Sequence, residues 1–288
     1  MAVDLHVHSS ASDGTAAPGE IPALAAAAGL TAVALTDHDT VAGLTDFLAC
    51  QAQYPDLQLI PGVEISSRDG AREIHIVGLF IDHNHTALQE FTAAMRRERM
   101  MRAEQMQQKL SALGYIVSWD DLCAAGLTGD VPGRPHFAQV LINKYNFPDT
   151  ATVFARLLKP GTPGYVPRNL PDPATAVKVI KAAGGVAIWA HPFSSRNNIN
   201  NYIRRTLKEL KIAGLDALEA YYPEYTPTRT ATALQMASEY QLAVSGGSDF
   251  HGSIHPDIQL GRGRGSLQVP DEVLEPLKKA LQPKVVIL

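Results

Sequence analysis

Val3-Asp4-Leu5-His6-Val7-His8 opens the chain with a strand-like apolar run that ends in two imidazoles. Side chains on a strand repeat every two residues, so His6 and His8 share one face. The same design recurs along the sequence. Residues 31–36 form a second apolar run that leads into Asp37-His38-Asp39. Residues 57–65 carry Glu64, and residues 73–81 carry His75. Residues 186–190 end at His191, and residues 243–245 are followed by Gly246-Gly247-Ser248-Asp249-Phe250-His251. With residues 217–221 this makes about seven strands. Helical patterns fall between them at residues 18–28, 41–53, 173–183, 200–213 and 227–240, and a last helix is expected over 271–281 before the apolar tail Val285 to Leu288.

Strands alternating with helices admit an α/β barrel or a doubly wound sheet. Reactive residues at the ends of several different strands are the mark of a barrel. A doubly wound sheet concentrates its site at one switch point behind a Gly-rich first turn, and no GxGxxG follows the first strand. The sequence therefore predicts an α/β, distorted (β/α)7 TIM-like barrel. Between about residues 88 and 168 the alternation stops. A long helix over 88–113 and a Pro/Gly-punctuated remainder predict an inserted, mainly helical subdomain. The expected division is a barrel of residues 1–90 and 169–288, with 91–168 as the insertion, capping the active site.

The chain has 288 residues, of which 45% are hydrophobic and 19% charged, so it can bury a sizeable core. Its net charge of −4 gives no overall attraction to nucleic acid or anionic lipid, so an anionic ligand has to be met locally. Two widely spaced cysteines, Cys50 and Cys123, fit a reducing compartment. The most apolar stretch, residues 21–35, is interrupted by Pro22, Gly29 and Thr31, well short of a membrane span. A cytoplasmic protein with no membrane association and no obligate protein partner is expected.

Each polar strand end has a plain alternative taken alone: Asp13 in Ser12-Asp13-Gly14 as a turn residue, Asp37-His38-Asp39 as a helix cap, His191 as a satisfied core histidine. Glu64 is harder to dismiss, because a carboxylate inside an apolar strand is costly unless paired or coordinated. Six histidines and three carboxylates at the same place in successive units point to metal. Mixed imidazole and carboxylate donors suit Mn²⁺, Zn²⁺ or Fe²⁺, and the lack of thiolates argues against a structural zinc.

At these positions the chain resembles the PHP (polymerase and histidinol phosphatase) family of the amidohydrolase superfamily. The likeness rests on Asp4-Leu5-His6-Val7-His8-Ser9, Ser12-Asp13-Gly14, Thr36-Asp37-His38-Asp39, Gly62-Val63-Glu64, Glu73-Ile74-His75-Ile76-Val77-Gly78, Ala190-His191-Pro192 and Gly247-Ser248-Asp249-Phe250-His251. It covers nearly the whole chain and implies a (β/α)7 barrel with a trinuclear metal centre. By that likeness His6, His8, Glu64 and Asp249 hold one ion, the shared Glu64 with His75 and His191 a second, and Asp13, His38 and His251 a third. Histidinol phosphatases often carry a histidine in place of Asp13. The harder oxygen donor tilts the expectation towards three Mn²⁺ ions, with Zn²⁺ and Fe²⁺ open.

Gly133-Arg134-Pro135-His136-Phe137-Ala138, Lys159-Pro160-Gly161 and Gly164-Tyr165-Val166-Pro167-Arg168 resemble the free-standing branch of 3′,5′-nucleoside bisphosphate phosphatases and 5′-to-3′ trimming nucleases. The expected activity is hydrolysis of the 3′-phosphate of nucleoside 3′,5′-bisphosphates by a metal-bound hydroxide, with short oligonucleotides as further substrates. Asp13, His38 and His251 are the expected catalytic residues, and His136 is a candidate acid. Arg99, Arg102, Arg134, His136, Lys159, Arg168 and Arg196 are the expected substrate-binding set. Arg99 and Arg102 lie one helical turn apart, whereas Arg96 and Arg97 read as a solvated face. Tyr222, Tyr225, Phe193 and Arg196 follow barrel strands and are candidates to stack on a base, with a barrel-rim aromatic as the plain alternative for Tyr222. The alternatives are a histidinol-phosphate phosphatase, a dedicated 5′-to-3′ exonuclease and a non-enzymatic PHP interaction module.

Overall fold

The computed structural model describes residues 2–126, 131–194 and 200–281. Eight strands form one sheet in the order β7-β6-β5-β4-β3-β2-β1-β8. They are β1 (Ala2–Val7), β2 (Leu30–Leu35), β3 (Gln58–Asp69), β4 (Arg72–Leu79), β5 (Val186–Trp189), β6 (Ala217–Tyr221), β7 (Ala243–Gly246) and the two-residue β8 (Val269–Pro270). The first seven neighbour one another in chain order, as a barrel requires. β4 runs antiparallel to both β3 and β5, and the remaining pairs among the seven are parallel. Beyond the last strand bonds, β1 meets the segment after β7: Val7 bridges Phe250, His8 N–H donates to Phe250 O at 2.9 Å, and Asp249 N–H donates to His6 O at 2.9 Å. The sheet is thus a nearly closed barrel, sealed by the segment that carries Asp249 and His251.

Helices α1 (Ile21–Ala27) and α2 (Leu44–Ala49) follow the first two strands. α3 (Thr86–Ala112), α4 (Trp119–Ala124), α5 (Arg134–Tyr145) and α6 (Thr150–Val153) come after β4, with a π turn at Phe154–Leu158. α7 (Pro173–Ala182), α8 (Asn200–Ala213), α9 (Pro227–Glu239) and α10 (Leu274–Ala280) complete the chain. The expected helix over 18–28 is a 3-10 turn at Pro18–Glu20 followed by α1. Pro22 has no N–H to return to residue 18, so the first turn cannot close as an α-turn. The expected helices over 41–53 and 271–281 likewise divide into α and 3-10 pieces. β8 is too short to leave a pattern in the sequence. The tail Val285 to Leu288 lies outside the described residues.

The chain divides into two compact units, residues 1–92 with 170–288 and residues 93–169. In the barrel unit, one apolar cluster joins strand residues such as Val33, Ile65 and Ile76 to helix residues such as Phe47, Ile180 and Leu207. A second collects Val3, Leu5, Ala32, Ala34, Ile60, Val77, Leu79 and Ile188 with Leu277 of α10. The second unit has its own core, built from Met106, Leu110, Leu122, Phe137, Leu141 and Leu158 among others. Among the described residues no helix is long and apolar enough to cross a membrane.

One irregularity decides where the first two histidines point. Asp4 pairs with Val33 but Val7 with Leu35, so three steps on β1 match two on β2. Val3 and Leu5 pack with Ala32 and Ala34, whereas Val7 packs with Val33 and Leu35 in the other cluster. The extra residue swaps the faces of the strand. His6 and His8 thereby take the interior side, which unbroken alternation from Val3 would deny them.

Candidate metal centre

Glu64, fully buried on β3, is the hub. Its Oε2 lies 3.2 Å from His6 Nε2, 3.2 Å from His8 Nε2 and 3.1 Å from His38 Nδ1. Its Oε1 lies 2.9 Å from His75 Nδ1 and 3.2 Å from His191 Nε2. Five imidazoles, from β1 and the residue just after it, from β4 and from the turns after β2 and β5, therefore face one carboxylate. Asp249 Oδ1 adds contacts at 3.2 Å to His8 Nε2 and 3.5 Å to His6 Nε2. At the most open edge, Asp13 Oδ1 lies 3.3 Å from His251 Nε2 and 3.7 Å from His8 Nδ1, and Asp13 Oδ2 lies 3.9 Å from His38 Nε2. The His8 and His251 rings stack with centroids 4.1 Å apart.

Three of the turns that deliver these groups hold a non-glycine residue in the left-handed region: Asp39 (φ 55°), His191 (φ 33°) and Asp249 (φ 54°). Such backbone costs on the order of 1–3 kcal/mol per residue and persists where surrounding contacts over-determine it. Asp39 N–H donates to Glu64 O at 2.8 Å while Ser66 N–H donates to Asp39 Oδ1 at 2.8 Å. Gly247 permits the closest approach: a Cβ there would sit 2.4 Å from His6 Cβ and 2.5 Å from its backbone nitrogen.

The donors fit metal ions. His6 Nε2, both ring nitrogens of His8 and Glu64 Oε2 are shut off from solvent and have no hydrogen-bond partner among the described residues. Uncompensated buried polar atoms are expensive, and cations at their convergence would satisfy them. Among the described residues, three sets of donor atoms converge closely enough to hold an ion: His6, His8, Glu64 and Asp249; His8, Asp13, His38 and His251; and His38, Glu64 and His75. All nine expected ligands lie in this cluster, with His191 reaching it through Glu64 Oε1.

The charges of the cluster shift its members in both directions. Despite burial, Glu64, Asp13 and Asp249 are held well below the usual carboxylate range by the imidazoles around them. Burial opposes a charged ring at His8, but Asp249 and Glu64 outweigh it and lift the ring to about 10. Against the same burial, Glu64 and Glu73 lift His75 to about 10. Burial, with the like charges of His8 and His75, takes His38 down to about 4 although Glu64 and Asp13 pull the other way. Ligation requires neutral imidazole, so metal uptake would release protons from His8 and His75.

A PHP domain matches residues 4–156. The chain belongs to the PHP domain family. It is 35% identical to a 5′-3′ exoribonuclease of Haemophilus influenzae over 86% of this chain and 89% of that protein. Identity to a 3′,5′-nucleoside bisphosphate phosphatase of Chromobacterium violaceum is 32%, over 98% of this chain and 97% of the other. Among solved structures, a metal-dependent phosphoesterase from Bifidobacterium adolescentis superposes with a TM-score of 0.82 at 28% identity, covering 98% and 97% of the two chains. An amidohydrolase from Chromobacterium violaceum with bound sulfate and no metal gives 0.81 at 31% identity, covering 97% of each. This PHP protein is a metal-dependent phosphoesterase.

Sequence reasoning missed two supports of its centre. Glu219 on β6 accepts from His191 N–H through Oε2 at 2.6 Å and contacts His6 Nδ1 through Oε1 at 3.0 Å. It is a buried carboxylate between Leu218 and Ala220, the signal that singled out Glu64. Asp4 accepts from Ser248 N–H at 2.8 Å, Ser248 Oγ–H at 2.5 Å and Gly261 N–H at 2.7 Å, tying β1 to the segment after β7. Burial raises the Asp4 carboxyl in spite of these donors.

The residues expected to touch substrate fall into three groups. The Tyr222 hydroxyl donates to Asp249 Oδ2 at 2.9 Å, and the Tyr225 hydroxyl accepts from Phe193 N–H at 2.9 Å, so both phenols hold the rim. In the PHP insertion, Arg102 Nε–H donates to Val166 O at 2.8 Å. Burial, then Arg134, Arg168 and Arg99, push its guanidinium down to about 10. Those four arginines are therefore electrostatic neighbours, each half-buried, whereas Arg96, Arg97 and Lys159 are exposed. Arg134 also lies over the rings of Phe154 (5.5 Å) and Tyr165 (5.9 Å). His136 Nδ1 accepts from Gly133 N–H at 3.0 Å and so caps the start of α5. Arg196 lies outside the described residues.

Proposed function

We propose that the protein hydrolyses the 3′-phosphate of nucleoside 3′,5′-bisphosphates, with 5′-to-3′ trimming of short oligonucleotides as a second activity. The observation that carries this reading is the cluster of Arg99, Arg102, Arg134 and Arg168. Guanidiniums gathered in this way offer several planar donors at one place, which suits an anion with two or more negative oxygens. A monophosphate substrate would give such a cluster no role, which disfavours histidinol phosphate. Likeness over almost the full length to a bisphosphate phosphatase supports the first activity, and the exoribonuclease relatives support the second.

His6, His8, Glu64, His75, His191 and Asp249 would hold ions on the buried side, and Asp13, His38 and His251 would complete the set at the open edge, where the phosphoryl group arrives. Bound divalent ions would supply an activated water and offset charge on the phosphoryl and leaving oxygens. Asp13 as an oxygen donor favours Mn²⁺. The protein's own work is orientation. His251 Nδ1–H donates to Asp249 O at 2.8 Å, which turns Nε2 towards Asp13. Tyr222 holds the second oxygen of Asp249 and leaves Oδ1 for the cluster.

The test is phosphate release by Mn²⁺-loaded protein from nucleoside 3′,5′-bisphosphates, 3′-monophosphates, histidinol phosphate and short 5′-phosphorylated RNA. The bisphosphates should show the highest kcat/KM, and solvent ¹⁸O should appear in the phosphate. Equal rates on 3′-monophosphates would refute the role of the arginine cluster, and a preference for RNA would make trimming the main activity.

A further inference from the structure

Glu219 is a buried carboxylate that no ligand set claims, and its two oxygens touch two proposed ligands, His6 and His191, at once. We propose that Glu219 is the positioning residue that fixes His6 as an Nε2 metal ligand and locks the His191 turn, coupling β1 and β5 through a single carboxylate. The proposal rests on the metal-centre reading above and asks how two of its ligands are aimed.

The argument is one of donors and acceptors. His191 N–H is a donor and its 2.6 Å partner is Glu219 Oε2. His6 Nε2 faces Glu64 Oε2 at 3.2 Å and Asp249 Oδ1 at 3.5 Å, so it is the ring nitrogen turned to the cluster. A neutral His6 that offers Nε2 as a lone pair carries its proton on Nδ1, and Nδ1 lies 3.0 Å from Glu219 Oε1. Glu219 must therefore accept on both oxygens. An ionised carboxylate does this and no other side chain of its size does. An amide has one acceptor and one donor, so it opposes either His6 Nδ1–H or His191 N–H with another donor.

Each half of that choice has a consequence. If the amide donates to His6, the ring's proton moves to Nε2 and the ring ceases to be a ligand on the cluster side. If it donates towards His191, the turn loses the contact that holds it at φ 33°. Partners that orient metal-binding histidines typically change metal affinity about 10- to 100-fold when removed.

Two measurements decide the matter. Zn²⁺ affinity is measured by chelator competition for the wild type, Glu219→Gln and His6→Ala, with apo-state circular dichroism and thermal melting as fold controls. Glu219→Gln should fold and lose about tenfold or more in affinity, approaching His6→Ala. Wild-type affinity in a folded Glu219→Gln protein would overturn the proposal. Unchanged affinity in His6→Ala would instead overturn the metal-centre reading on which it rests. The second measurement needs no variant: in Zn²⁺-saturated wild type with ¹⁵N-labelled histidine, His6 Nδ1 should carry a protected proton and Nε2 none. The reverse tautomer would sink the proposal even if Glu219→Gln failed to fold.

Discussion

The barrel and the insertion handle charge in opposite ways. In the barrel, His6, His8 and Glu64 are fully buried, and their cost is met by mutual contacts and by the ions they are suited to hold. In the insertion the core is apolar, and charge stays at the surface or half-buried, as with Arg102. A barrel mouth gathers the ends of many strands at one place, so buried polar atoms can satisfy one another there. A small helical unit has no such focus, and its charges gather where a helix start and a loop, at Arg134 and Arg168, come back to Arg99 and Arg102 in the middle of α3. Barrel charges should therefore govern chemistry outright, and insertion charges should govern selectivity or nothing.

The largest expected effect comes from the hub. Glu64→Gln keeps the shape but removes the charge that five imidazoles face, so bound metal should fall and kcat/KM should drop by on the order of 10³-fold or more on every phosphoester. Metal content by elemental analysis and phosphate release check it. A Glu64→Gln protein with normal metal and half the activity would break the contrast, since the buried charge would then be replaceable.

That hub was legible in the sequence, and the reason is geometric. Strand periodicity and the rule that barrel chemistry lies at strand ends place His6, His8, His38, Glu64, His191, Asp249 and His251 without knowledge of packing. His75 stands out instead as a polar residue between Ile74 and Ile76 on the antiparallel β4, and the sharing of Glu64 is implied by the family resemblance. The slip between Asp4 and Val7 was not legible, because an extra residue on one strand leaves no trace in composition or period. Glu219 carried the same mark as Glu64, a carboxylate in an apolar strand. Its role shows only once β6 is seen to bring it under both His6 and His191. The arginines of the insertion were named one by one, but their convergence depends on how residues 134 and 168 return to α3. No local pattern encodes that return.

Arg102 gives the intermediate effect. Removing one guanidinium from a phosphate clamp costs about 10- to 100-fold. Arg102→Met should lower kcat/KM for a nucleoside 3′,5′-bisphosphate by that much and for an aryl phosphate by far less. Melting temperature should change little, because losing the Nε–H bond to Val166 O offsets the relief of like charge from Arg134, Arg168 and Arg99. Equal losses on the two substrates would mean that the cluster supports the insertion's fold and not a second phosphate.

The smallest effect tests the idea that surface charge in the insertion carries little. Lys144 Nζ lies 2.7 Å from Asp121 Oδ2, and Asp121 also accepts from Ser118 N–H at 2.7 Å at the start of α4. Hydrogen bonds from Lys144 and Ser118 hold the Asp121 carboxyl down to about 2, below its ordinary 3.8. A depressed carboxylate adds its stability above pH 4 and loses it as pH falls towards 2, so at pH 7 the contribution is complete. Both groups are solvated, so Lys144→Ala should lower the melting temperature by only about 1–2 °C at low salt and by less in 1 M NaCl. Turnover of the bisphosphate should not change. A loss of 5 °C or more that survives high salt would show that the insertion, like the barrel, stores stability in paired charge, and the contrast between the two units would fail at its weakest-looking point.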